Sequence, residues 1–157
     1  MPIRSIEQVL TEIKTFEGLE QRHLDRIAGC GTNCGFAAGE VIAREGDPAD
    51  TFYVIRHGRV ALETSAPVGG SLLITTLGDG TVVGWSWLIP PYRWRFDARA
   101  VEETRAIAFD GACLRGKCDS DHELGYVLMQ RFAQIILDRL QATRLQLLDV
   151  YGEPARR

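Results

Sequence analysis

The sequence predicts a mainly β fold with flanking helices: an antiparallel β-roll (a double-stranded β-helix, or jelly roll) closed by a long C-terminal helix. Two observations predict it. From Gly29 to Gly84, turn residues recur at short intervals, among them Gly46-Asp47-Pro48, His57-Gly58, Gly69-Gly70 and Gly78-Asp79-Gly80. The runs between them are short and rich in β-branched and aromatic residues, as in sandwiches and rolls. After Asp110 the apolar residues take helical spacing, and residues 121–151 contain no proline and no glycine past Gly125.

In chain order, residues 5–28 read as helix. Ser5 is a cap, and Ile6, Val9, Leu10 and Ile13 fall at helical intervals. Gly18 interrupts the run, and Leu19, Leu24 and Ile27 restart it. Gly29, Gly31 and Gly35 then read as turn punctuation. Strands are predicted over residues 41–44, 51–55, 59–64, 71–76, 81–83, 96–101 and 105–109. A short helix over 111–117 precedes the long one. The whole chain, 1–157, is expected to be one domain: helices in 5–28, a roll over 30–110, and helices over 111–151.

Composition narrows the function. With 157 residues, 45% of them hydrophobic, the chain is long enough for one real core. A net charge of -3, with both signs mixed, argues against a general nucleic-acid binder. The basic end, Ala155-Arg156-Arg157, reads as a frayed terminus. No apolar run approaches a membrane span, and the first residues, Met1-Pro2-Ile3-Arg4, lead into an amphipathic pattern rather than a signal core. The expectation is a cytoplasmic protein with no membrane partner. Cys30, Cys34, Cys113 and Cys118 stand at C-x3-C and C-x4-C spacings and read as separate reduced thiols, with a four-thiolate metal or redox site as the alternative. His23, His57 and His122 form no ligand motif, so no metal site is expected. A metal-dependent enzyme on a roll needs several histidines and a carboxylate on neighbouring strands. Here only His57 lies in the roll, within a turn, and no nucleophile–base pair stands out. No catalytic residue is assigned, and the protein is expected not to be an enzyme.

The candidate binding site is the cassette over residues 84–97. It holds all three tryptophans, two arginines and Pro90-Pro91. Helix can begin at Trp85 and must stop before Pro90. A short helix entered through Gly84 aims free N–H groups at one spot, which suits an anion. Gly84, Trp85, Ser86, Trp87, Arg93, Arg95 and Phe96 are therefore the candidate ligand residues here. Against this stands a packing role for the tryptophans, with the arginines ion-paired to Asp97, Glu102 or Glu103.

On the long helix, Leu128, Phe132, Ile135, Ile136, Leu140, Thr143 and Leu147 form one stripe, which Leu124, Met129, Leu137, Leu145 and Leu148 widen. More than one apolar face predicts both packing on the roll and pairing with a second copy across a two-fold axis, the alternative being a helix buried wholly within the monomer. The expected homodimer interface is that stripe from Leu128 to Leu147, with Arg139.

Several segments carry a family likeness. Residues 39–47, the strand-turn-strand Phe52-Tyr53-Val54-Ile55-Arg56-His57-Gly58-Arg59-Val60, the entry Gly78-Asp79-Gly80 with Val83-Gly84, and Phe132-Ala133-Gln134 followed by Arg139-Leu140-Gln141-Ala142-Thr143 together resemble the cyclic-nucleotide-binding domain of the bacterial catabolite activator family (Crp/Fnr). The resemblance implies a regulatory or sensor module that takes cyclic AMP, cyclic GMP or another small anionic ligand and signals through its dimer helix to an unknown protein partner. Counted without gaps from Gly84, it places the phosphate-binding arginine on Arg95, with Arg93 close by, and base-end contacts on Arg139 and Thr143. Three positions depart from it. Trp85 stands where the family has a ribose-binding glutamate, and an indole cannot accept as a carboxylate does. Phe96 replaces a small hydroxyl residue, and Arg144 replaces a serine. These departures leave a second reading open: a ligand-free roll, filled by its own aromatic side chains, serving as a dimeric interaction or scaffold protein. The family's transcription factors continue past a hinge like Leu147-Leu148-Asp149-Val150-Tyr151-Gly152 into a helix-turn-helix. Only residues 153–157 follow here, so direct DNA binding is not expected.

Overall fold

Among the described residues, turn chemistry cuts the middle of the chain into eight strands, with helices on either side. The computed structural model describes residues 4–65 and 68–152. Residues 1–3, on which the absence of a signal core was read, and the basic end 155–157 lie outside the described residues.

Helix α1 (Ile6–Leu10) begins with a capping box. The Ser5 hydroxyl accepts from the Gln8 amide, and the Gln8 side chain accepts from the Ser5 amide. A 3₁₀ turn (Lys14–Phe16) and Gly18 lead to α2 (Gln21–Ala28). The helical spacing over 5–28 is thus divided into three short pieces, not two.

Strands β1 (Gly31–Phe36), β8 (Thr104–Asp110), β3 (Thr51–His57) and β6 (Val82–Val83) form one antiparallel sheet in that order. Strands β2 (Val41–Ala43), β7 (Asp97–Ala100), β4 (Val60–Ser65) and β5 (Ser71–Leu77) form the other. β1 corrects the turn reading of Gly31 and Gly35, which pair with Phe109 and Arg105 of β8. A Cβ at Gly31 would stand 3.0 Å from the Phe109 ring, so glycine is what lets this edge strand lie so close.

Period-2 alternation gives β3 two allegiances. Phe52 and Val54 pack under the helices with Leu10, Phe16, Leu24, Ile27, Ile107, Phe109 and Leu114. Tyr53 and Ile55 face the other sheet, in a second cluster with Leu62, Leu77, Val83, Trp94, Phe96 and Ala98. Helix α3 (Gly111–Ser120) is capped by the Asp110 carboxylate, which accepts from the Cys113 amide. Helix α4 (His122–Gly152) follows, with Asp121 accepting from the Leu124 amide. No described helix is long and apolar enough to cross a membrane.

Candidate functional site

Gly84 sits at φ 99°, in the region glycine favours, directly after β6. The Trp94 ring lies against it, so that a Cβ there would stand 2.7 Å from Trp94 Cη2. Trp85 meets Phe96 edge-on at 5.2 Å, and Trp94 meets Phe96 edge-on at 5.7 Å. Tyr53 stacks on Trp94 from β3. Trp94 and Phe96 are 5% and 4% exposed. The space between the two sheets beside the cassette glycine is therefore filled by rings.

The helix predicted from Trp85 is a single 3₁₀ turn, Ser86–Leu88. Ser86 is 5% exposed, and Trp87 and Leu88 pack in the cluster under the helices. Trp87 is fully buried among the helices, stacked on Phe52 at 4.9 Å and edge-on to Phe132 of α4 at 5.2 Å. Its Nε1 has no hydrogen-bond partner among the described residues. Trp87 is thus a core anchor joining the cassette to α4, and it is not open to a ligand.

The two candidate arginines lie outside the roll. Arg93 is exposed and donates to the Gly46 carbonyl at 3.3 Å. Arg95 is exposed and makes no ion pair among the described residues. Residues 93–100 alternate: Trp94, Phe96, Ala98 and Ala100 are buried, whereas Arg93, Arg95, Asp97 and Arg99 face outward or lie at the rim. The gap-free count that put a phosphate contact on Arg95 therefore lands on the outer side, and the proposed pairing of the arginines with Asp97, Glu102 or Glu103 is not seen either. Asp97 instead accepts from the Glu45 amide.

On α4, Arg139 turns toward the roll. It lines a cavity of about 170 Å³ with Lys14, Thr15, Thr81 and Val82. Burial lowers its pKa, and its Nε lacks a partner among the described residues. Thr143 is exposed and its hydroxyl donates back to the Arg139 carbonyl. The structure therefore gathers Gly84, Trp85, Trp94 and Phe96 into one ring cluster, while Arg93 and Arg95 stand exposed outside it and Arg139 and Thr143 stay on α4.

The expected dimer stripe also divides. Leu128 and Phe132 are 0% and 1% exposed within this chain's own body and cannot meet a second copy. Ile135 packs partly against the same cluster. Leu140 and Leu147 remain 63% and 51% exposed.

Sequence reasoning missed Arg115. Its guanidinium lies 4.2 Å over the Tyr92 ring and donates to the Trp87 carbonyl and to Asp50. With Leu88, Tyr92, Cys118, His122 and Met129 it lines a cavity of about 410 Å³ on the outer side of the cassette. Nothing in the spacing of Arg115 from the cassette signals this contact. All four cysteines are free. Burial, then a hydrogen bond with Cys113, pushes the Cys30 thiol up to about 12.

A family profile described as cyclic nucleotide-binding domain matches residues 34–121, more than half of the chain. The chain belongs to the cyclic nucleotide-binding domain family. A protein of Geobacter metallireducens GS-15, assigned to the cyclic nucleotide-binding proteins, has a crystal structure similar to it, with TM-score 0.78 and 30% identity over 88% of this chain and 99% of that one. The Thermus thermophilus catabolite activator protein shares the fold, with TM-score 0.71 and 22% identity over 90% of this chain and 65% of that one. In sequence, the CRP-like cAMP-activated global transcriptional regulator of Mycobacterium tuberculosis is 26% identical over 145 residues. That match takes in 92% of this chain and 63% of the regulator's length. The residues matched to the cyclic nucleotide-binding domain family run from within β1 to the end of α3, take in the cassette after β6, and stop where α4 begins.

Proposed function

We propose that this chain is a non-enzymatic regulatory module of the cyclic nucleotide-binding fold that acts by self-association, with its roll filled by its own aromatic side chains rather than by a nucleotide. The observation that carries this reading is the Trp94 ring seated on Gly84, backed by Trp85 and Phe96. A nucleotide in the roll would have to displace three packed rings and would find the arginine of the cassette on the outer side. Displacing buried aromatic side chains costs several kcal/mol.

Self-association is supported by the outward face of α4. Met129, Ala133, Ile136, Leu140, Thr143 and Leu147 follow one another at alternating steps of four and three residues. That is the seam of a two-stranded coiled coil, and a second copy related by a two-fold axis supplies the matching seam. Trp87 against Phe132 links the cassette to the root of this helix. A change in the cassette therefore reaches α4 through one packed contact, and a downstream protein would read the arrangement of the paired helices.

Calorimetric titration with cyclic AMP and with cyclic GMP tests the filled roll. The expected result is no heat of binding with either. Saturable binding at micromolar concentration, lost in Trp85→Ala or Arg95→Ala, would restore the reading of a nucleotide sensor.

A further inference from the structure

The roots of α2 and α4 meet at a cluster that the roll does not use. Glu20 immediately precedes α2, His23 lies in its first turn, and Glu123 lies in the first turn of α4. One ring nitrogen of His23 and one carboxylate oxygen from each glutamate all lie within 4.8 Å of one another. His23 is only 2% exposed, and its Nε2 has no hydrogen-bond partner among the described residues. Glu123 Oε1 stands 3.8 Å from it, too far for a hydrogen bond.

We propose that Glu20, His23 and Glu123 form a divalent-cation site of the zinc class, clamping the first turn of α2 to the first turn of α4. One imidazole nitrogen and two carboxylate oxygens suit a borderline ion, with water completing a tetrahedron. Bonds of about 2.1 Å need donor atoms about 3.4 Å apart, so the cluster closes by a small inward movement. The side chains of Glu20 and Glu123 are 66% and 59% exposed and free to make that movement. His23 is held in place by its burial and supplies the fixed ligand. Arg22 is the competitor. Its guanidinium reaches Glu123 at 2.9 Å, Asp121 at 3.1 Å and Glu20 at 3.4 Å. It satisfies the same carboxylates while leaving the imidazole nitrogen alone. At 48% exposed it can swing out when a cation takes its place.

The test is titration of the whole reduced chain with zinc chloride, followed by calorimetry, with magnesium chloride as control. One Zn²⁺ per chain is expected and no Mg²⁺. Glu20→Gln and Glu123→Gln should each weaken zinc binding by at least about tenfold, and Arg22→Gln should strengthen it severalfold. These three positions are exposed, so the test does not depend on a variant of buried His23. Co²⁺ in place of Zn²⁺ should give ligand-field bands without a thiolate charge-transfer band, which separates this site from the four cysteines. The proposal is overturned by no binding up to millimolar free zinc, by affinity unchanged in both glutamate variants, or by a thiolate band.

Discussion

The two halves of α4 carry the same kind of residue and meet different surroundings. In the first half, Leu124, Leu128 and Phe132 lie on one face, each at most 1% exposed, against Phe52, Trp87 and Leu114. In the second half, Leu140, Leu145, Leu147 and Leu148 are 51–63% exposed. One polar contact, Gln146 Nε2 donating to the Ile74 carbonyl, ties that half to β5, where Leu72 and Leu73 are also exposed. The difference teaches that an apolar helix stripe does not state its partner. The first half gains its stability from this chain's own roll; the second has apolar surface left for another body.

Substitutions that act on one half and spare the other break or sharpen this contrast. The largest effect is expected for Phe132→Ala, which removes the ring edge-on to both Phe52 and Trp87. It should cost about 3–5 kcal/mol in urea unfolding of the monomer, and a loss under about 1 kcal/mol would show that the inner half is not anchored there. Gly84→Ala comes next, since a Cβ would enter the Trp94 ring at a backbone angle alanine avoids. Calorimetric or denaturant unfolding should lose about 2–4 kcal/mol. Unchanged stability would mean that the roll is not packed as described. Leu140→Glu should leave monomer stability within about 0.5 kcal/mol while abolishing self-association on gel filtration with light scattering. The smallest effect is expected within the second sheet, where Arg99 of β7 grips Glu63 of β4 through two hydrogen bonds. That pairing lowers the Glu63 pKa from its ordinary value of 4.5. Its contribution is therefore fully present above that value and is lost as pH falls through the lower folded value. Glu63→Gln should cost roughly 1 kcal/mol or less at neutral pH and flatten the acid limb of a stability–pH curve.

Much of the fold was legible because local chemistry and tertiary structure agree. The turns at Gly46-Asp47-Pro48, His57-Gly58 and Gly78-Asp79-Gly80 do separate strands, and the long helix runs from His122 as its spacing indicates. β1 escaped notice because Gly31 and Gly35 look like turn residues until the close approach of Phe109 is known. At the cassette, the alternation Trp94, Phe96, Ala98, Ala100 against Arg93, Arg95, Asp97, Arg99 was present in the sequence and outranks a gap-free count from Gly84. The fate of Leu128 and Phe132 was not legible, because periodicity shows how many apolar faces a helix has and not which one its own roll covers. The cluster of His23 with Glu20 and Glu123 was hidden for a related reason: its members come from two helices a hundred residues apart, and no local spacing joins them.

Sedimentation velocity of the wild-type chain beside Leu140→Glu, over a range of concentrations, tests the central claim most directly. The account predicts a wild-type particle of twice the 17.5 kDa chain mass and a folded single chain for the variant. A wild-type protein that stays monomeric at the highest concentration, or a variant that stays paired, would contradict it.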